Sequence, residues 1–476
     1  ISNYLISYNM KAILDHMQIH IHNTLTGEKE EFKPIKEGAV GIYNCGPTVY
    51  DSAHIGNFRT MVMYDIVRRV FEYNDYDVKQ VMNITDIDDK TIRRSLAEKT
   101  SLEKLTRHYE TLFLADLHSL NILTPHSLLR AADHVKEMAD MISTLLEKKI
   151  AYSAKDGIYF SISQFKNYGK LAKIDLSDDV QERIANDEYD KDNPRDFALW
   201  KFHAESDGEN AWEAPFGKGR PGWSIECSAM ATKALGDTID IHTGGTDLIF
   251  PHHTNEIAQS EAATGKSFVN YWIHGAFMNV NDAKMAKSKG NFLKLADLEE
   301  SGISPLGFRY WLLTSHYRSQ VNFSAEAVKA AQNAFIRLVE TFIRFGEVQN
   351  EHVHAAAEPR DYQKEFNEKI NNDFDMPGAV ALMWDLIKDH TVVAKEKIEL
   401  LLSFDEVFGL GLHVVRDMKD EMNEAIPAEI TALAEARELA RTSKEFDKAD
   451  ALRKEITDRG YEVKDNPEGY ILKKLR

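Results

Sequence analysis

Residues able to hold a soft metal stand in three separated segments: Cys45, Cys227, and the pair His252 and Glu256. Thiolate, imidazole and carboxylate are the donors a zinc ion takes, and a catalytic zinc site keeps one position open. Pro251 suits the first turn of a helix, which sets His252 and Glu256 at i and i+4 on one face. No Cys-x-x-Cys pair is present, so two unrelated buried cysteines explain the same string. His242 and His253 are further candidates, as ligands or as partners of ligands.

A second set has the chemistry of phosphate binding. His54-Ile-Gly-Asn57 falls where a strand hands over to a helix N-terminus, and the N–H groups and dipole there favour an anion. His54 and Asn57 add side-chain donors, and Gly56 lets a ring or phosphate approach the backbone. Lys284-Met-Ala-Lys-Ser-Lys289 is a basic loop, and Lys284 and Lys287 facing a helix N-terminus would make a clamp on phosphates. Asp247, in Gly245-Thr-Asp247 after a strand, can accept from ribose hydroxyls. An ordinary strand–turn–helix, a solvated basic loop and a polar turn are the plainer readings of these three strings.

The elements that must position these residues form an α/β pattern. Strands are expected at Gln18–Asn23, Ala39–Tyr43, Val78–Ile84, Ile239–His242, Tyr271–His274 and Phe277–Val280, and a helix over Met61–Tyr73. Strand and helix alternate, which implies a parallel, Rossmann-type sheet. Thr85, Asp86, Asp88 and Asp89 follow the third strand, either at a ligand-facing edge or capping the next helix. Residues 102–121 and 131–149 read as amphipathic helices. From Pro305 to about Leu412 the pattern is almost wholly helical, and a last helical hairpin and β-hairpin follow.

The chain has 476 residues, 43% hydrophobic and 28% charged, which is ordinary for a globular protein of several domains. No apolar run reaches about 18 residues, so no membrane helix is expected. The net charge of −18 speaks against nonspecific coating of nucleic acid and leaves room for local basic patches, at Arg68-Arg69, Arg93-Arg94 and Lys284–Lys289. Two cysteines make no disulfide framework, and a reducing, cytoplasmic setting is the default.

Five strings in order carry a resemblance: Cys45-Gly-Pro-Thr-Val-Tyr-Asp51 with His54-Ile-Gly-Asn57, Asn83-Ile-Thr-Asp-Ile-Asp-Asp-Lys90, Gly219-Arg-Pro-Gly-Trp-Ser-Ile-Glu-Cys-Ser228, Phe250-Pro-His-His-Thr-Asn-Glu-Ile-Ala-Gln-Ser260, and Lys284-Met-Ala-Lys-Ser288. Together they resemble the cysteinyl-tRNA synthetase family, class I aminoacyl-tRNA synthetases. The resemblance implies ATP-dependent activation of L-cysteine and its transfer to the 3′ end of tRNA(Cys), with Mg2+ accompanying ATP and a monomeric chain. It implies one Zn2+ held by Cys45, Cys227, His252 and Glu256, selecting the substrate thiol over a serine hydroxyl. It makes His54, Gly56 and Asn57 part of the ATP-binding "HIGH" element, Lys284 and Lys287 part of the "KMSKS" loop, and Asp247 the ribose-side acid. Gly46, Thr85, Trp223 and His242 match positions around the amino acid.

Three departures stand out. Asn57 replaces a histidine, Ala286 replaces a serine in the lysine loop, and Ser224 stands where histidine is usual, which is expected to loosen the shell near the metal. The implied organisation is an extension at 1–16, a catalytic core at 17–150 and 222–265 split by a connective insertion at 151–221, a lysine-loop domain at 266–330, a tRNA-binding helical bundle at 331–420 and an anticodon-binding module at 421–476. The insertion is too short for an editing domain. Rival readings are a ligase joining cysteine to an amino sugar, a small-molecule nucleotidylyltransferase and a non-catalytic tRNA-binding relative.

Overall fold

The computed structural model describes residues 18–174, 196–280, 283–284, 292–348, 360–417, 427–466 and 469–474. Backbone contacts divide the chain into two compact units: Ile1–Ala334 with Gln363–Leu382 and Glu406–Phe408, and Phe335–Tyr362 with Met383–Asp405 and Gly409–Arg476.

In the first unit β1 (His20–Asn23) pairs antiparallel with β2 (Glu28–Glu31), and the unit is built on a five-stranded parallel sheet. Its strands are β3 (Ala39–Asn44), β4 (Asp77–Ile84), β5 (Ser127–Arg130), β10 (Ile239–Gly245) and β11 (Val269–Gly275), in the order β11-β10-β3-β4-β5. The chain runs outward from β3 to β5, then returns to the other side of β3 as β10 and β11. The strand order therefore reverses between β3 and β10, and a crevice opens beyond the carboxyl ends of strands at such a point. β10 is buried along its whole length, as a central parallel strand covered on both faces must be.

Helix α1 (Ile55–Tyr73) follows β3 and is anchored along its length. Its apolar face is sunk in the core at Ile55, Phe58, Met61, Val62, Val67, Val70 and Phe71. Arg68 and Arg69, a surface patch by sequence, turn inward. Arg68 bonds Glu72 and the Thr124 carbonyl; Arg69 bonds Asp65 at 2.7 Å. Asp65 also takes the fully buried Arg309 guanidinium at 2.5 Å and the Leu123 N–H at 2.8 Å. Burial opposes the Asp65 charge, but Arg309 and Arg69 hold its carboxyl below the usual range. Near the start of α1, Arg59 donates to the carbonyls of His316, Tyr317 and Ser319. That fastens the helix to the segment entering β14 (Val321–Phe323).

β14 pairs parallel with β12 (Met278–Val280), which pairs antiparallel with β13 (Ala283–Lys284). The helical pattern expected from Pro305 is therefore interrupted. Three residues with two inward side chains, Val321 and Phe323, leave no readable periodicity. The region 151–221 contributes an antiparallel four-stranded sheet of β6 (Ala151–Ser153), β7 (Gly157–Phe160), β8 (Phe197–Phe202) and β9 (Gly219–Pro221). Helix α2 (Trp223–Leu235) comes directly after β9. Ser224 to Ala231 are buried all round it, so it lacks the one-sided pattern that marks a helix in sequence. Among the described residues no helix is long and apolar enough to cross a membrane.

In the second unit, helices Ala428–Thr442 and Phe446–Asp458 pack with a hairpin of Tyr461–Asn466 and Gly469–Lys474. Ile430, Ala434, Ile456, Tyr461 and Val463 form its small core. Arg437 grips Asp465 with both arms of its guanidinium, at 2.7 and 3.0 Å.

Candidate active site

The crevice is a cleft of about 1240 Å³, counting its open mouth. Cys45, Gly46, His54, Asn57, Thr85, Trp223, Cys227, Asp247 and His252 all line it, so residues far apart in sequence converge there. Gly56 lines an adjoining cavity of about 590 Å³, which shares His54, Asn57 and Asp247 with the cleft and adds Gly275 to Met278. Glu256 and His242 lie just behind the floor. Lys284 is placed by its backbone in β13, paired with Asn279. Lys287 and Ala286 lie outside the described residues.

Strand ends set the floor. Cys45 follows β3, and its backbone is held by Thr243 of β10 (N–H to carbonyl, 3.3 Å) and by the Tyr64 hydroxyl, which donates to the Cys45 carbonyl at 3.1 Å. Gly46 passes so close to β4 that a Cβ would sit 1.7 Å from the Asn83 carbonyl oxygen, which leaves glycine as the residue that fits. Asn83 accepts from the Gly46 N–H at 2.8 Å and donates to the Thr85 hydroxyl at 3.1 Å, joining the two strand ends. An asparagine among Val81, Met82 and Ile84 at the strand's end was the available sign of that role.

At the floor, Cys45 Sγ lies 3.8 Å from Cys227 Sγ and 3.9 Å from Glu256 Oε1, and His252 Nε2 lies 3.0 Å from the same oxygen. Two thiolates on one tetrahedral zinc stand about 3.8 Å apart, given Zn–S bonds of about 2.3 Å. The donor set and its spacing therefore fit such an ion. Cys45, His252, His253 and Glu256 also form a cluster with ligand atoms within 4.8 Å of one another. His253 Nε2 is 3.2 Å from Cys45 Sγ, and its other nitrogen meets His274 at 2.7 Å. His252 precedes the helix Thr254–Thr264 rather than standing in its first turn; Phe250 is extended and the Phe250–Pro251 bond is cis. The pair still meets because the wide turn at 249–253 runs straight into that helix.

Electrostatics in this dry pocket are strongly coupled. The hydrogen bond from Cys45 brings the Cys227 thiol down to about 6 against burial, with help from His252. Burial opposes charge on His252, yet Glu256 and Cys227 raise it to about 10. Burial likewise opposes the Glu256 carboxylate, but His242 and His252 hold it at about 2. His242 does so by direct contact, Nε2 to Oε2 at 2.9 Å, and it touches the carboxylate rather than lining the cleft. Burial, then His242 and His274, pushes His253 far below the ordinary histidine range, so it stays neutral.

Ser224 touches the candidate ligand His252. Its hydroxyl is 3.2 Å from His252 Nδ1, and Asn255 reaches the same hydroxyl at 3.5 Å. The serine steadies the ring that presents Nε2 to Glu256, while Trp223 stacks on the ring at 4.1 Å. Small size is what lets it sit between His252 and Asn255.

Toward the mouth, His54 caps α1. Its Nδ1 accepts from the Asn57 N–H at 3.2 Å, and Asn57 Oδ1 accepts from the His54 N–H at 3.0 Å. With Nδ1 accepting, a neutral ring carries its proton on Nε2, and the Asn57 amide keeps its NH2 as donor. Asparagine thus does in the cap what its oxygen allows. The Ile55 N–H donates to the Leu293 carbonyl at 2.9 Å, and Phe292 meets the His54 ring edge-on at 5.1 Å. The residues just after the lysine loop therefore lie against the helix N-terminus.

Comparison with known proteins decides what this cleft belongs to. Residues 31–333 match the family model of the class I (C) tRNA synthetase catalytic domain, and residues 423–470 that of the cysteinyl-tRNA ligase anticodon binding domain. A cysteine–tRNA ligase of Brachyspira hyodysenteriae is 42% identical over 95% of this chain and 98% of its own. That of Thermococcus gammatolerans is 40% identical over 97% of this chain and 100% of its own. The chain belongs to the cysteine–tRNA ligase family. Class I relatives share its fold at low identity: a Mycobacterium tuberculosis methionyl-tRNA synthetase bound to methionyl-adenylate superposes with a TM-score of 0.60 at 15% identity, covering 80% of this chain and 93% of that one. An Agrobacterium radiobacter leucyl-tRNA synthetase reaches 0.57 at 10%, covering 81% and 86%. For a ligase of this family, the crevice at the strand-order reversal is where a nucleotide is expected.

Proposed function

We propose that this chain activates L-cysteine with ATP, releasing pyrophosphate, and passes the cysteinyl group to the 3′ end of tRNA(Cys). The observation that carries the reading is the 40–42% identity to cysteine–tRNA ligases over nearly the whole chain, with the first four of the five motifs meeting in one cleft. The chemistry needs no side-chain nucleophile. The cysteine carboxylate attacks the α-phosphorus, a P–O bond forms, and pyrophosphate departs. The His54 and Asn57 donors and the N-terminus of α1 meet the charge that grows on the phosphate oxygens, with Lys284 and Lys287 on the leaving side and Mg2+ with the nucleotide. Asp247 and Gly56 lie where the smaller cavity would seat the adenosine, Asp247 accepting from ribose.

Cys45, Cys227, His252 and Glu256 are the residues that would hold Zn2+; His253, held neutral against Cys45 and His274, supports them. When bound there, the ion supplies a soft ligand position that takes a thiolate far better than a hydroxyl. Gly46, Thr85 and Trp223 shape the rest of the amino-acid pocket. Residues 151–221 serve as the connective insertion and 421–476 as the anticodon module, and the chain works as a cytoplasmic monomer. The long chain beyond residue 330 favours a tRNA acceptor over an amino sugar. ATP–pyrophosphate exchange with each of the twenty amino acids tests the reading: exchange with cysteine alone is expected, and exchange with none would overturn it.

A further inference from the structure

Part of the cleft lining is not used by the chemistry above. The floor takes the amino acid and the smaller cavity the adenosine. Unused are Tyr50, Lys90, Tyr109 and Phe113, a wall that lines the cleft from the turn after Gly46 and from helices Asp89–Ala97 and Leu102–Ser119. Burial grades along it: Phe113 is buried, Tyr50 and Tyr109 are half-buried and Lys90 is exposed, so it faces what enters from solvent.

Its charges are arranged unequally. Arg94 is held by Asp51 at 3.0 Å and Glu98 at 2.7 Å, and it donates to the Tyr109 hydroxyl at 2.6 Å with its guanidinium 5.0 Å from that ring. Arg94 thus fixes Tyr109 and the Tyr50–Asp51 turn as a rigid aromatic surface. Lys90 differs. Its Nζ sits 5.7 Å from the Tyr50 ring, and among the described residues it has no carboxylate within ion-pair distance. Aromatic surfaces beside an uncompensated cation are how proteins take single-stranded nucleotides: the base stacks and the cation meets the phosphate.

We propose that this wall is the seat of the 3′-terminal nucleoside of the acceptor tRNA, with Tyr50 and Tyr109 as the stacking surface and Lys90 on the terminal phosphate. The inference rests on the reading of the cleft given above and adds to it the transfer half of the reaction. There the terminal ribose hydroxyl attacks the cysteinyl carbonyl; an ester C–O bond forms, the acyl–phosphate bond breaks with its electron pair leaving on AMP, and the hydroxyl proton goes to solvent. These residues position the attacking strand and take no part in bond making.

The test separates the two halves in the full-length protein. Pyrophosphate exchange reports activation; single-turnover transfer from enzyme-bound cysteinyl-adenylate to tRNA(Cys) reports the acceptor site. In Lys90→Gln, an exposed change that removes no core contact, the ratio of transfer to exchange is expected to fall about tenfold. The log–log salt slope of tRNA binding should shrink by roughly 0.7, the share of one phosphate contact on a single strand. Tyr109→Phe, which keeps the ring, should retain most of the transfer, and Tyr109→Leu should lose it. A parallel fall of exchange and transfer in Lys90→Gln would overturn the assignment and place Lys90 on the pyrophosphate. An unchanged ratio would also overturn it. Absence of exchange in the unaltered protein would instead sink the reading of the cleft itself.

Discussion

At the floor of the cleft, Cys45, Cys227, His252 and Glu256 are each at most 5% exposed, while at the mouth His54 and Asn57 are only half-buried and Lys90 lies in solvent. Three of the four floor donors are held by a second group: His252 by Ser224, Glu256 by His242, and the Cys45 backbone by Tyr64 and Thr243. The mouth is built around a helix terminus whose side chains cap the backbone. The difference matches the tasks proposed for the two regions. Telling a thiol from a hydroxyl demands desolvated, fixed groups, because one atom's difference is worth little in a wet or yielding pocket. Binding a triphosphate demands many donors that close around a large anion.

The largest effect that would break this comparison belongs to the floor. Cys227→Ser is expected to strip the metal and reduce the preference for cysteine over serine from above roughly 10⁴ to about 10² or less, the range a pocket alone attains. Metal content by atomic emission, with exchange assays on both amino acids, checks it; retained selectivity without metal would remove the floor's special status. At the mouth, His54→Ala should lower the rate of adenylate formation by about 10²-fold, with the KM for cysteine little altered. A matching rise in that KM would mean that floor and mouth are not separate.

Smaller effects sharpen the picture. Ser224→Ala should weaken metal retention by about 10- to 100-fold, the usual cost of losing a group that orients a ligand. Competition with a graded series of chelators measures this. If retention is unaltered, the 3.2 Å contact with His252 carries no weight.

The effect with the least bearing on catalysis concerns Asp86, just beyond the strand end that carries Thr85. Burial holds its carboxyl up at about 6 from an ordinary 3.8, against the Ala132 N–H that bonds it at 2.9 Å. The folded state thus keeps this proton more tightly than the unfolded chain. The associated stability is fully present below pH 3.8 and is lost as pH rises through about 6. Asp86→Asn should remove that slope, by about 3 kcal/mol between the two ends. Urea midpoints at pH values on either side of the window measure it, and parallel curves for both proteins would contradict it.

Much of the core was legible because it is periodic or punctuated. Strands β3, β4, β10, β11 and β12 fall within a few residues of the apolar runs that predict them. Helix α1 begins at Ile55, six residues before the apolar stripe becomes visible at Met61, since its first turn is spent on the cap and the cleft. β5, β8 and α2 left no such trace. Four half-buried residues make β5, and α2 is buried on every side.

By itself, the sequence determined which chemistries are present: the soft donors, the helix-terminal His54 and Asn57, and the order of motifs that ties the chain to its family. Those are properties of residue types and local spacing. Only the tertiary structure decided how the donors are shared out. It turned His242 toward Glu256 and His253 toward Cys45 and His274, made Ser224 a support, and drew Arg68 and Arg69 inward. It also set Lys90 beside Tyr50 with no carboxylate partner among the described residues. Such roles depend on distances across strands and helices that lie far apart along the chain, and on which groups burial has desolvated, neither of which is written in local spacing.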